Sequence, residues 1–212
     1  MVKNDTLFFD IDTQYDFLEP DGRLYIQGAE EIIDRISEAR RFALENGYSL
    51  LATVDWHSLE DEEISTEPDY KVTWPPHCIA GESGARRLGY LGELQIEHVG
   101  PELVRIDHLL MLAERRRFHI VIRTSSVDAF ENPNTLPLLE TIRPNRVIVF
   151  GVALDICVDN AVRGLIKWGR AETIVLSDVV KGLGTQEDED VYARFREGGV
   201  RIMELADVER ML

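Results

Sequence analysis

Val147-Ile148-Val149-Phe150-Gly151-Val152-Ala153-Leu154-Asp155-Ile156-Cys157-Val158 decides how this chain is read. The apolar run Val147 to Phe150 has the length and residue types of a buried strand, and Gly151 ends it. After Cys157 comes a segment rich in Val, Ala and Leu that reads as a helix running to Gly169. A cysteine is thereby set near the carboxyl end of a strand and the start of a helix, where ligands gather in open α/β sheets. Unpaired backbone N–H groups and the positive helix end there favour a thiolate. On local pattern alone Cys157 is also consistent with a small buried hydrophobe.

The same alternation extends in both directions. Leu7 to Ile11 reads as a strand, Ala29 to Asn46 as a helix with Gly47 as its C-cap, and Tyr48 to Val54 as a second strand. Further strands are expected at Ile120 to Ile122, Thr173 to Leu176 and Val200 to Met203, with helices at Thr135 to Ile142, Cys157 to Trp168 and Glu187 to Glu197. Strands that alternate with helices predict an α/β fold: an open parallel sheet covered by helices on both faces. With 212 residues, no composition break and no repeat, one domain over residues 1–212 is expected.

Composition narrows the function. A formal net charge of −16 argues against nucleic acid and anionic membranes as partners. No apolar run reaches the length of a bilayer span, and the opening Met-Val-Lys-Asn-Asp-Thr lacks a signal-peptide core. Two cysteines do not make a disulfide framework, so a reducing cytoplasm is the expected compartment.

Two further regions carry chemistry. The long segment Asp55 to Gly100 has little periodicity, and loops of that length in compact domains are usually functional. It opens with Asp55-Trp56-His57 and contains Trp74-Pro75-Pro76-His77-Cys78. In extended backbone Asp55 and His57 point the same way. With His77, braced by two prolines, they form a candidate O/N ligand set for a divalent metal, zinc or else iron or manganese. A solvated loop pair is the competing reading. The other region is the first strand and its continuation, Phe8 to Phe17. Alternation puts Asp10 and Asp12 on one face, and a carboxylate beside a thiol can accept and return its proton. Asp16 suits a turn-capping role better.

Taken together, these segments resemble the isochorismatase-like cysteine hydrolases, and the nicotinamidase branch in particular, over Leu7 to about Val200. Asp12-Thr13-Gln14-Tyr15-Asp16-Phe17 is similar to the family's opening motif, Gly151 to Val158 to its nucleophile motif, and the two histidine segments to the metal motifs of nicotinamidases. The resemblance implies Asp12 as base, Cys157 as nucleophile, and the N–H groups of Ala153 and Cys157 as the oxyanion hole, with a cis Val152–Ala153 peptide. It implies Asp55, His57 and His77 as metal ligands, Glu63 as a fourth, and Phe17 and Trp74 against the substrate ring. It further implies a small amide as substrate and self-association into a homo-oligomer.

One departure stands out. The family pairs its aspartate and cysteine with a lysine at a fixed distance before an aromatic motif, here Asp128-Ala129-Phe130. Counting back places Thr124 there, with Arg123 beside it as a substitute charge. A related hydrolase acting on another small amide, or a non-catalytic ligand-binding relic, are the readings this leaves open. Cys78 reads as packing, His98, His108 and His119 as surface or strand-end residues, and Arg115-Arg116-Arg117 as a solvated helix end. The apolar stretch Leu109 to Ala113 faces either a second subunit or the core.

Overall fold

A computed structural model describes residues 5–92, 95–113 and 117–212. Arg115 and Arg116 of the basic run lie outside these residues, as does part of the opening segment. Seven strands form one parallel sheet: β1 (Thr6–Ile11), β2 (Ser49–Asp55), β3 (Ile96–Val99), β4 (His119–Thr124), β5 (Arg146–Val152), β6 (Glu172–Lys181) and β7 (Arg201–Met203), in spatial order β3-β4-β2-β1-β5-β6-β7. The order reverses direction after β1, so a crevice opens between β1 and β5 at their carboxyl ends, the place such sheets use for ligands. β1, β2 and most of β5 are fully buried, which is why they read as largely apolar runs.

Helices cover both faces. α2 (Ile33–Glu45) and the C-terminal α7 (Leu205–Met211) pack with Phe8, Leu50, Ile148 and Phe150 on one side. On the other, α4 (Thr135–Ile142), α5 (Asp159–Trp168) and α6 (Asp188–Glu197) pack with Phe9, Leu51, Val147 and Val149. A short α1 (Tyr15–Leu18) follows β1, and α3 (Ile106–Ala113) precedes β4. α3 takes up the apolar stretch; Leu110 and Met111 on it are exposed, and the side chains of Leu109, Leu112 and Ala113 lie outside the described set.

Besides the helices α1 and α3, three elements depart from the sequence expectation. β3 is a half-exposed edge strand of four residues, too short to show a period. β6 runs five residues past Leu176, because its ladder with β5 breaks between Val149 and Gly151 and resumes at Val180. Ser177 and Asp178 occupy the irregularity and disguise the strand's continuation. Asp178 also accepts the N–H of Leu205 at 2.8 Å, which starts α7, a helix the sequence pattern did not yield.

Candidate active site and metal centre

Gly151 allows the crevice to form. Its φ is +122°, and a Cβ there would lie 2.0 Å from the carbonyl oxygen of Ile11. Only glycine lets β5 approach the end of β1 this closely. The chain then passes through the cis Val152–Ala153 peptide into a π-type turn, Leu154–Val158, before α5 begins at Asp159. Cys157 therefore sits inside an irregular turn rather than at the first residue of a regular helix. The carbonyl of Ala153 anchors that turn, accepting from Ile156 at 3.1 Å and Val158 at 3.0 Å, while its N–H is directed at the Cys157 sulfur.

Asp12 reaches the same point by a different device. Its φ is +47°, an uncommon conformation for a residue with a Cβ. Strand alternation ends there, so Asp12 does not share a face with Asp10, contrary to the sequence reading. Asp10 turns toward α2, where it takes Arg40 Nε at 2.7 Å, Thr13 Oγ1 at 2.9 Å and the Arg87 guanidinium. Asp12 turns to the opposite face, where Thr53 Oγ1 donates to it at 2.6 Å and the Cys157 thiol hydrogen-bonds it. Burial, reinforced by the charge of Asp55, raises the Asp12 carboxyl well above its ordinary range. Burial together with Asp12 and Asp55 raises the Cys157 thiol as well, so the expected helix-end thiolate is not what the surroundings favour. The two groups form a hydrogen-bonded carboxyl–thiol pair.

Asp55, the last residue of β2, stands between this pair and two imidazoles. Its Oδ2 is 3.3 Å from His77 Nε2 and 3.7 Å from His57 Nε2. One donor atom from each of the three residues falls within a 4.8 Å cluster, and so does one from each of Asp12, Asp55 and Cys157. Both rings are aimed from behind: His77 Nδ1 is held by Pro75 O at 2.8 Å and His57 Nδ1 by Asp61 Oδ2 at 3.1 Å. Such outer hydrogen bonds fix the tautomer and present Nε2 to a common point. His57 Nε2 is buried without a hydrogen-bond partner, the mark of a donor set shaped for an ion. Burial acts to raise Asp55 and to lower His57, but their mutual attraction outweighs it. Asp55 is held well below the usual carboxylate range and His57 rises to about 9. Gln14 fixes the Asp55 backbone, donating to its carbonyl and accepting its N–H, both at 2.8 Å.

The remaining expected residues divide. Phe17 and Trp74 line the cleft with Leu24, Ile26, Val127, Ile156 and Leu183, around an empty volume of about 310 Å³ that ends on Cys157, Asp55 and His77. Glu63 is not brought into the ligand cluster; its Oε1 accepts the N–H of Val127 at 3.1 Å, and the residue nearest His57 from behind is Asp61. Thr124 faces the site, its hydroxyl 3.3 Å from Asp55 Oδ1. Arg123, one residue earlier on β4, turns to the other face and stacks its guanidinium 4.2 Å from the centre of the Trp56 ring. It does not supply the charge suggested for it, as strand alternation requires. Asp16 accepts from the N–H groups of Arg23 and Cys78 at 3.1 and 2.7 Å, a loop-tying role, and Cys78 is buried packing. His98 and His108 are exposed. His119 is buried against Arg87 at 2.7 Å instead of lying at the surface.

One contributor gave no signal in the sequence. Asp155, buried in the π-type turn, accepts from the N–H groups of Leu183 and Thr185 at 2.7 and 2.6 Å and from the Thr185 hydroxyl at 2.7 Å. It ties the loop after β6 to the turn that carries Cys157 and so sets the Leu183 wall of the cleft.

The chain is similar to known proteins over most of its length. An isochorismatase domain matches residues 106–207, a span that includes Cys157. The nicotinamidase/pyrazinamidase of Mycobacterium tuberculosis is 29% identical over 202 residues, covering 91% of this chain and 95% of that protein. Among solved structures, the pyrazinamidase of Pyrococcus horikoshii in complex with zinc superposes with a TM-score of 0.74 at 23% identity, over 95% of this chain and 99% of that one. PnC1 from L. infantum in complex with nicotinate gives 0.68 at 25% identity, over 96% and 94%. These similarities support the isochorismatase-like superfamily for this chain. Within that superfamily the relatives it is similar to are nicotinamidases.

Proposed function

We propose that the protein is a metal-dependent cysteine amidohydrolase that converts nicotinamide or a similar small amide to the acid and ammonia. The observation that carries this reading is the hydrogen-bonded Asp12–Cys157 pair at the foot of an apolar cleft, beside the Asp55, His57 and His77 cluster.

Asp12 takes the thiol proton as Cys157 Sγ attacks the amide carbon. The C–O π electrons move to oxygen, which the N–H groups of Ala153 and Cys157 receive; losing one such donor typically costs about a hundredfold or more in rate. The tetrahedral adduct collapses, the C–N bond breaks, and Asp12 returns its proton to the departing ammonia. Water, deprotonated by Asp12, then attacks the thioester carbon; the C–S bond breaks, the thiol is reprotonated and the acid leaves. Because burial and the nearby carboxylates hold the Cys157 thiol protonated, the ionised form of Asp12 accepts its proton as attack occurs and no standing thiolate is needed. Phe17 and Trp74 hold a flat ring in the cleft.

Asp55, His57 and His77 would hold a divalent ion, zinc or else iron or manganese, which when bound supplies a Lewis-acidic point for orienting a ligand atom. The similar pyrazinamidase of Pyrococcus horikoshii was solved in complex with zinc, which supports the choice of a divalent metal. Thr124, in the position where the family resemblance places a lysine, keeps the hydroxyl contact to Asp55 without a charge. Among the described residues no helix is long and apolar enough to cross a membrane. The net charge of −16 and the two free cysteines support a cytoplasmic protein acting on a small molecule, and the family resemblance supports a homo-oligomer.

The test is ammonia release from a panel of small amides by metal-loaded protein, together with metal content by elemental analysis. We expect one ion per chain, lost in His77→Ala, and turnover that depends on it. Stoichiometric metal with no turnover of any amide would leave a ligand-binding relic and refute the hydrolase.

A further inference from the structure

The catalytic cleft does not end at its mouth. Leu24, Trp74 and Leu183 line it, and the same three residues line a second, more open groove whose empty volume is about 710 Å³. Tyr25 and Tyr70 form the outer walls of that groove. Cleft and groove adjoin through Leu24, Trp74 and Leu183, so together they fit a larger molecule than the cleft alone.

The groove is built. Tyr70 is 55% exposed and its φ is +56°. The Asp69 carboxylate holds the turn that presents it, accepting the N–H groups of Lys71, Val72 and Thr73, each at 2.9 Å. Tyr70 stands edge-on to Trp74 with ring centres 6.2 Å apart and an interplanar angle of 82°. Across the groove, Tyr25 is fixed through its hydroxyl, which accepts from Gly28 N at 2.9 Å and donates to Glu30 at 2.5 Å. The third wall, Leu183 to Thr185, is tied down by buried Asp155. Rings locked in advance lose little freedom when a flat group packs on them.

We propose that this groove is a subsite for a substituent of the substrate: a flat, apolar, aryl-like group joined to the ring that enters the catalytic cleft. The inference deepens the amidase reading and rests on it for the position of the scissile amide. Trp74 is shared by both compartments, so the ring in the cleft and the group in the groove pack on adjoining parts of one indole. The preferred substrate is therefore an aryl-extended pyridine or similar carboxamide, and nicotinamide fills only the inner half.

Binding separates the subsite from the chemistry. Nicotinamide and its phenyl-substituted isomers would be titrated calorimetrically into the metal-loaded, full-length Cys157→Ala protein. One added aromatic contact with its buried area predicts an affinity at least about tenfold tighter for the isomer whose phenyl group points into the groove. Tyr70→Asn, which tolerates the positive φ while removing the ring, should abolish that gain, and Tyr70→Phe should keep it. If no isomer binds more tightly than nicotinamide, or if Tyr70→Asn preserves the gain, the subsite is overturned. If the extended amide binds tightly but wild-type protein releases ammonia from neither it nor nicotinamide, the groove stands as a binding site and the amidase reading falls. Release from nicotinamide alone overturns the groove as a substrate subsite.

Discussion

Replacing Thr124 by lysine should accelerate the reaction, and the size of the effect follows from what surrounds that position. Thr124 Oγ1 lies 3.3 Å from Asp55 Oδ1, and Asp55 shares a 4.8 Å cluster with Asp12 and Cys157. Apart from burial, the charges that push Asp12 up are both carboxylates, Asp55 and to a lesser degree Asp10. An ammonium about 4 Å from Asp12 interacts with it by at most roughly 4 kcal/mol at an effective dielectric of 20, before its own desolvation is counted. The net result expected for an opposite charge at that range is a fall of about 1–3 pKa units. Each unit makes the base up to about tenfold more available at a pH below its pKa, so kcat/KM for nicotinamide should rise at least about tenfold. The acid limb of the kcat/KM profile should move to lower pH by a unit or more. The assay is ammonia release from pH 5 to 9 by wild-type and Thr124→Lys proteins of equal metal content. A folded, metal-loaded Thr124→Lys enzyme with unchanged rate and unchanged acid limb would refute the claim that Asp12 gains from a cationic side chain at position 124.

His119 gives a stability prediction. Burial and the neighbouring Arg87 lower it from 6.5 to about 3, so it stays neutral in the folded protein. The unfolded chain takes up its proton below about pH 6.5, so unfolding is favoured as pH falls from there toward about 3. Between pH 7 and 5 this one group should cost about 2 kcal/mol, and His119→Gln, which keeps an acceptor for Arg87, should remove most of that slope in urea melts. An unaltered slope would assign the acid sensitivity elsewhere. Asp155→Ala strands the N–H groups of Leu183 and Thr185, so it should cost about 2–4 kcal/mol of stability and speed amide exchange across 183–186; protection equal to wild type would contradict the tethering role.

How much could be read in advance depended on whether a residue's role was local. Val147 to Phe150 and Leu7 to Ile11 are buried on both faces and announce themselves as apolar runs. Asp55, His57 and His77 converge because two-residue spacing and a proline brace are local constraints. What could not be read depended on tertiary pairing. The five extra residues of β6 exist only because the ladder slips opposite Gly151, and Ser177 and Asp178 there look like a loop. Strand alternation predicted one face for Asp10 and Asp12, but a single positive φ at Asp12 turned it to the other. Alternation did hold at Arg123 and Thr124, and it is what sends Arg123 onto Trp56. His119 reads as a surface residue until Asp10, Arg40 and Arg87 are brought around it from three separate segments. Asp155 carries no pattern at all, since its partners lie 28 to 31 residues away.

The most direct test of the central claim is whether the acyl group of the substrate passes through Cys157. Metal-loaded protein would be quenched with acid during turnover of nicotinamide, digested, and its peptides analysed by mass spectrometry. The account predicts a nicotinoyl thioester on the peptide containing Cys157, absent from Cys157→Ala, which should also release no ammonia. Turnover that persists in Cys157→Ala, with no acyl adduct on the wild-type cysteine, would contradict it.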